Sequence, residues 1–190
     1  MDTSNPTAPA GDIQVTSDIT LSNSFMGDTM QICVLTHDIY RTMKQFVRLG
    51  VGPWRIYTFN EKTVGDLTYR GASSRNSVRL ALAWSGTTFW EVIQPLEGES
   101  IYTEWLNRHG EGIQHVAQAC NGMSFDDRIA EFERRGFGVT QSGKFNGAVR
   151  YAYIGSEEST GFAIELLDFP EGFEMPEPEE WYPSAPPAKS

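Results

Sequence analysis

Four polar side chains interrupt stretches that are otherwise apolar. Gln31 opens Ile32-Cys33-Val34-Leu35, and His115 opens Val116-Ala117. Glu91 sits within Phe89-Trp90-Glu91-Val92-Ile93, and Glu165 within Phe162-Ala163-Ile164-Glu165-Leu166-Leu167. A carboxylate inside a core strand is costly to bury unless it is paired or bound to a metal. Each residue alone has an ordinary reading. His115 could be a satisfied structural histidine, Glu91 or Glu165 could pair with Arg79 or Arg150, and Gln31 by itself means little. The four acquire chemical meaning only if something brings them to one point.

An internal repeat would do so, and such repeats decide a fold before any motif does. The first half opens with the apolar strand GDTMQICVLT and continues into a helix pattern, DIYRTMKQFVRLG, with Ile39, Met43, Phe46, Val47 and Leu49 near one face and Gly50 as the stop. The second half opens EGIQHVAQAC and continues into SFDDRIAEFERRGFG. There Ser124 is an N-cap, Asp126 and Asp127 occupy the first turn, and Gly136 ends the helix. Later in each half, VRLALAWSGTTFWEVIQPLEG parallels VRYAYIGSEESTGFAIELLDFPEG. Each has Val-Arg, an alternating strand, a polar turn, and a second strand carrying one Glu. Gln31 and His115 both begin the first strand of their unit, and Glu91 and Glu165 both lie on the last.

The predicted fold class is α+β: two tandem βαβββ modules whose curved sheets pair into a half-barrel around a central cleft, the natural ligand site. The expected divisions are an arm over 1–25, a first module over 26–98, a linking helix over 99–110, a second module over 111–172, and a tail over 173–190. Within the arm, Ile13 to Leu21 alternates like an accessory strand. From Pro170 onward the chain holds six of its ten prolines and five Glu, so it should run extended, pinned by Trp181 and Tyr182.

Composition narrows the function classes. The chain has 190 residues, 39% hydrophobic, 12% aromatic and 21% charged, which fits a folded domain with a core. Fifteen Lys and Arg against 25 Asp and Glu give a formal charge of −10, the wrong sign for nucleic acid or an anionic membrane. No apolar run reaches the roughly 18 residues of a membrane span, and the N-terminus has no secretory pattern. Cys33 and Cys120 stand 87 positions apart, offer no paired-cysteine metal motif and read as packed core. A cytoplasmic protein acting on a small molecule is the expectation.

The texture of FWEVIQPLEGESIYTEWLNRHGEGIQHVAQ and of GFAIELLD makes the resemblance specific. Over about residues 27–170 the chain resembles the vicinal oxygen chelate superfamily of lactoylglutathione lyases, methylmalonyl-CoA epimerases, extradiol dioxygenases and bleomycin-resistance proteins, with the epimerase-like branch nearest. The resemblance implies one divalent metal ion held by Gln31, Glu91, His115 and Glu165. Epimerases of that branch usually carry His at the first position and Gln at the second, whereas Gln31 and Glu91 stand there. The resulting set is similar to that of zinc-type lactoylglutathione lyases. Three oxygens and one imidazole suit Mg²⁺, Mn²⁺, Co²⁺, Ni²⁺ or Fe²⁺, and also Zn²⁺. A carbonyl bound at such an ion becomes more acidic at its neighbouring carbon. The resemblance implies Glu165 as the base, a metal-held enolate, and Glu91 as the catalytic partner across the pseudo-twofold, as an epimerase, isomerase or lyase requires. It also suggests a homodimer.

Trp54, Phe59, Tyr69, Phe89, Tyr151 and Tyr153 are candidates for the substrate pocket, and Arg70, Arg75 and Lys144 for meeting an acidic substrate. A coenzyme A thioester would call for several cations around the cleft, which a chain at −10 does not advertise. A smaller or more aromatic oxygenated metabolite suits the Trp and Tyr content better. Two alternatives stay open: an Fe²⁺ oxygenase, which needs two His and one carboxylate, and a non-catalytic binding protein that has kept the cleft.

Overall fold

The computed structural model describes residues 23–186. The expected strand over Ile13 to Leu21 lies outside them. A single turn, α1 (Asn23–Met26), precedes β1 (Thr29–Leu35), α2 (Ile39–Arg48), β2 (Trp54–Phe59), a hairpin of β3 (Val64–Tyr69) and β4 (Ala72–Ser73), and the long strands β5 (Ser77–Ser85) and β6 (Thr88–Glu97). Helix α3 (Ile101–His109) leads to β7 (Gly112–Ala119), α4 (Phe125–Arg134), β8 (Val139–Phe145), β9 (Val149–Ile154), α5 (Glu157–Thr160) and β10 (Ala163–Asp168). A short β11 (Glu180–Tyr182) lies near the C-terminus. Among the described residues, no helix is long and apolar enough to cross a membrane.

Helix boundaries follow local chemistry. Asp38 caps α2 by accepting from the Arg41 N–H at 3.0 Å, and Ser124 caps α4 by accepting from Asp127 N–H at 3.1 Å. Ser100 and Thr103 form a reciprocal capping box at the start of α3. Leu96 and Glu97 still belong to β6, and α3 begins two residues inside the expected span of 99–110. Leu49 also departs from expectation. It ends α2 fully in solvent, while Ile39 and Met43 are buried.

The described strands join one sheet in the order β11-β2-β5-β6-β1-β7-β10-β9-β8-β3-β4. The order β2-β5-β6-β1 is mirrored in β8-β9-β10-β7, so the two repeats meet where β1 and β7 pair antiparallel. In each repeat the first strand runs parallel to the last, β1 beside β6 and β7 beside β10. The two-βαβββ, α+β architecture is therefore present. Helices α2 and α4 each cover one convex face. Ile39 and Met43 of α2 pack on Ala81, Ala83 and Val92, and Phe125 and Phe132 of α4 pack on Ile154, Ile164 and Leu166.

Two features close the half-barrel. Phe59 of β2 stacks on Phe145 of β8, with centroids 4.2 Å apart and planes at 13°. These strands are far apart in sheet order, so the sheet curls until its two halves touch. The β3–β4 hairpin then crosses over: it belongs to the first repeat in sequence, yet β3 pairs with β8 of the second. The tail adds β11 to the free edge of β2, pairing Tyr182 with Trp54. Three residues at an edge are what a proline-rich segment can supply.

Gly143 shows how tightly the interior is filled. A Cβ there would lie 2.5 Å from Tyr151 Oη and 2.8 Å from Val64 Cγ1. Gly143→Ala should cost about 1–3 kcal/mol through overpacking, lowering Tm by roughly 2–4 °C per kcal/mol in a chain of this length. Gly65→Ala, whose Cβ would meet only Lys144 O at 4.0 Å, should melt within about a degree of the parent. Thermal melts of both variants check this.

Candidate functional site

Strand register explains why the four interrupting residues meet. At the centre of the sheet Cys33 of β1 lies opposite His115 of β7. β6 flanks β1 and sets Glu91 beside Cys33, while β10 flanks β7 and sets Glu165 beside Ala117. Gln31, Cys33 and Leu35 are the buried members of β1 at a period of two, so they share the concave face. Two strands from each repeat thus deliver one side chain each to a single point.

The cluster is almost sealed: relative exposure is 3% for Gln31, 7% for Glu91, 0% for His115 and 4% for Glu165. Gln31 Nε2 donates to Glu91 Oε2 at 2.7 Å and to Glu165 Oε2 at 3.3 Å, and lies 3.1 Å from His115 Nε2. His115 Nε2 is 3.1 Å from Glu91 Oε2 and 3.3 Å from Glu165 Oε2. Its other nitrogen, Nδ1, lies 2.6 Å from Gln114 Oε1. The Tyr153 hydroxyl faces Glu165 and lowers its affinity for protons. Tyr102 of α3 in turn donates to Tyr153 Oη at 2.8 Å. No arginine serves the two glutamates among the described ion pairs. Arg150 instead reaches Asp168 at 2.7 Å and Asp126 at 3.0 Å.

Burial by itself pushes the proton off the His115 ring, but Glu165 and Glu91 outweigh it and raise the pKa to about 9. Burial raises Glu165 above the ordinary carboxylate range, and the His115 charge opposes that rise. Cys33 was read as packed core, and it is fully buried. Its thiol nonetheless lies within 4.8 Å of a Glu91 carboxylate oxygen and is held protonated by burial and by that carboxylate.

These residues fit a divalent cation. Two donors about 2.1 Å from one ion and at right angles are about 3 Å apart, a value the five separations above bracket. Two carboxylates also balance a charge of +2, whereas a protonated His115 leaves the buried cluster one charge short of neutrality. Turning the Gln31 amide end for end presents its oxygen instead of its nitrogen. Gln114 Oε1 accepts from Nδ1–H and so keeps the Nε2 lone pair of a neutral His115 free for an ion. Cys33, Glu91 and His115 also bring ligand atoms within 4.8 Å of one another, which makes the thiol a further candidate donor.

A cavity of about 70 Å³ opens over the cluster, with Gln31, Glu91 and Glu165 in its wall. Of the aromatic candidates, Phe59, Phe89, Tyr151 and Tyr153 line it. Trp54 and Tyr69 do not, and the expectation is corrected for both. Trp54 lies five positions from Phe59 on one strand, hence on the opposite face, and packs under α2 against Phe46. Tyr69 turns its hydroxyl to Glu104 of α3. Arg70 and Arg75 are likewise engaged elsewhere, with Glu104 and Glu61. Lining residues absent from the sequence reading include Tyr102, on the linking helix, and Phe169 and Met175, from the C-terminal segment. Tyr102 carried a weak signal as a neighbour of Ile101 on the buried side of α3. The two tail residues carried none.

Residues 30–153 match the Glyoxalase/Bleomycin resistance protein/Dioxygenase superfamily. The chain belongs to that superfamily. Two methylmalonyl-CoA epimerases share the superfamily fold with this chain. One, from Mycobacterium tuberculosis, superposes with a TM-score of 0.59 at 17% identity, covering 80% of this chain and 93% of the other. The second, a Streptomyces coelicolor variant in complex with 2-nitronate-propionyl-CoA, gives a TM-score of 0.58 at 20% identity, covering 80% and 99%. A relative by sequence is the uncharacterized protein YqjC of Bacillus subtilis (strain 168), 25% identical over 139 residues, which are 66% of this chain and 93% of that protein.

The raised His115 pKa would set the pH dependence of any metal uptake at this cluster. The ring is protonated at neutral pH and must lose a proton to ligate. Apparent affinity for Mn²⁺ or Co²⁺ should rise by up to tenfold per pH unit from 6 to 8 and level off near 9. Calorimetry in buffers of different ionisation enthalpy should count at least one proton released per ion. An affinity flat from pH 6 to 8 would contradict the bridged imidazolium.

Proposed function

We propose that this protein is a divalent-metal-dependent enzyme that removes and returns a proton at the carbon next to a substrate carbonyl, an epimerase- or isomerase-type reaction. One observation carries the reading: Gln31, Glu91, His115 and Glu165 hold their donor atoms 2.7–3.3 Å apart, and Gln31, Glu91 and Glu165 of this set stand in the wall of a cavity. Those four residues would hold the ion. When bound, it would polarise the substrate carbonyl and acidify the adjacent carbon.

The chain supplies the rest. Glu165 takes the proton at its carboxylate, whose affinity for protons is raised by burial. Tyr153 faces that carboxylate and favours its charged form, and Tyr102 donates to Tyr153, so two hydroxyls stand behind the base. Glu91 comes from the other repeat and supplies the second carboxylate that inversion requires. Phe89, Leu80 and Leu167 in the cavity wall exclude water and strengthen each electrostatic contact inside. The oxygenase alternative gains no support. A two-His, one-carboxylate set is not assembled among the described residues, since His109 packs on Trp105 of α3 and His37 is exposed.

The test is solvent deuterium exchange at carbons next to a carbonyl, followed by NMR over thioester, hemithioacetal and hydroxyketone probes. Metal-loaded protein should exchange at least one class, and chelation should abolish it. Glu165→Gln should keep the fold and lower exchange about 10²–10⁴-fold. Metal-loaded protein that exchanges none would overturn the proposal and favour a binding protein. Tyr153→Phe removes a donor that favours the charged carboxylate, so the acidic limb of the pH–rate profile should move to higher pH.

A further inference from the structure

The cavity wall is unusual in its charge. Among the described residues that line it, the ionisable carboxylates are Glu91 and Glu165, and no Lys or Arg is present. Arg150, beside Tyr151 in sequence, alternates to the convex face. Its guanidinium lies over the Phe125 ring and pairs with Asp126 and Asp168. With a divalent ion in place the two carboxylates cancel its charge, so the site is neutral overall. An anionic substrate would gain no net attraction there and would lose its hydration on entry.

The size of the space is also restricted. The cavity has a volume of about 70 Å³, room for a small ligand beside the cluster. The tail sets this limit from one side. Tyr57 Oη donates to Pro176 O at 3.0 Å, and Glu179 accepts from the Thr58 N–H and hydroxyl at 2.7 and 2.9 Å. β11 continues the attachment, and the strap so formed keeps Phe169 and Met175 in the cavity wall.

One polar group remains for recognition. Tyr151 is buried, its ring lies over Gly143, and it lines the cavity. Among the described hydrogen bonds its hydroxyl has no partner, unlike those of Tyr102 and Tyr153. Such a group favours a ligand bearing a neutral acceptor.

We infer that the site takes a compact, uncharged hydroxycarbonyl compound, with Tyr151 as a binding residue and the strap residues Phe169 and Met175 as the size limit. This rests on the proton-transfer reading above. The experiment compares α-proton exchange by the Mg²⁺-loaded full chain on three probes. Acetoin is uncharged with six heavy atoms, pyruvate is anionic with six, and methylmalonyl-CoA is large and anionic.

Acetoin should exchange with a kcat/KM at least 100-fold above either anion. Tyr151→Phe should raise KM for acetoin about 3- to 10-fold with little change in kcat, the loss expected for one neutral hydrogen bond. Phe169→Ala with Met175→Ala should admit 2-hydroxypropiophenone, an uncharged hydroxyketone too large for the parent site. Exchange of pyruvate or methylmalonyl-CoA as fast as acetoin would overturn the substrate class and leave the proton-transfer reading standing. Exchange of no probe by protein shown calorimetrically to bind the ion would overturn both.

Discussion

Two carboxylates and an imidazole cannot share a dry interior unless each faces a partner, and the architecture of this chain follows from that demand. The donor atoms come from four strands and two repeats, so all four strand registers must hold at once. A one-residue slip of β6 would turn Glu91 to the convex side and bring Trp90 or Val92 into the cluster. Gln114 and Tyr153 fix the ring and the base from behind, which leaves little freedom in the side chains themselves. The cost of burying charge is thus also the force that selects one pairing of the two halves.

Around that point the structure is organised to keep water out. The sheet curls until Phe59 and Phe145 stack across its gap, and α3 closes the interior with Ile101 and Tyr102. The tail contributes its own wall and is tied by polar contacts to β2. In a low-dielectric enclosure the hydroxyl chain from Tyr102 to Glu165 acts more strongly than it would in solvent. Stability and chemistry draw on the same contacts: Tyr102, Tyr151 and Tyr153 belong to the buried cluster of the concave face, which holds the site.

Much of this was legible in the residues. Ser124 marks a helix start by side-chain chemistry that operates within one turn, and the repeat of Val-Arg strands announced the duplicated sheet. Gln31, Glu91, His115 and Glu165 stood out because polar atoms in apolar strands are rare without a partner. Trp54 was misjudged although its spacing from Phe59 was informative: an odd separation on one strand places the two rings on opposite faces.

By itself, then, the sequence determined the α+β repeat, the helix limits and the four residues that interrupt the core strands. Those properties depend on alternation and capping, interactions that reach only a few positions along the chain. Only the tertiary structure decided that Tyr102, Phe169 and Met175 share a cavity with them, that β3 crosses to the other repeat, and that no cation lines the cavity wall among the described residues. Such outcomes depend on how far a sheet of many strands curls and where its free edges find cover. That is a sum over distant contacts that no local stretch of residues encodes.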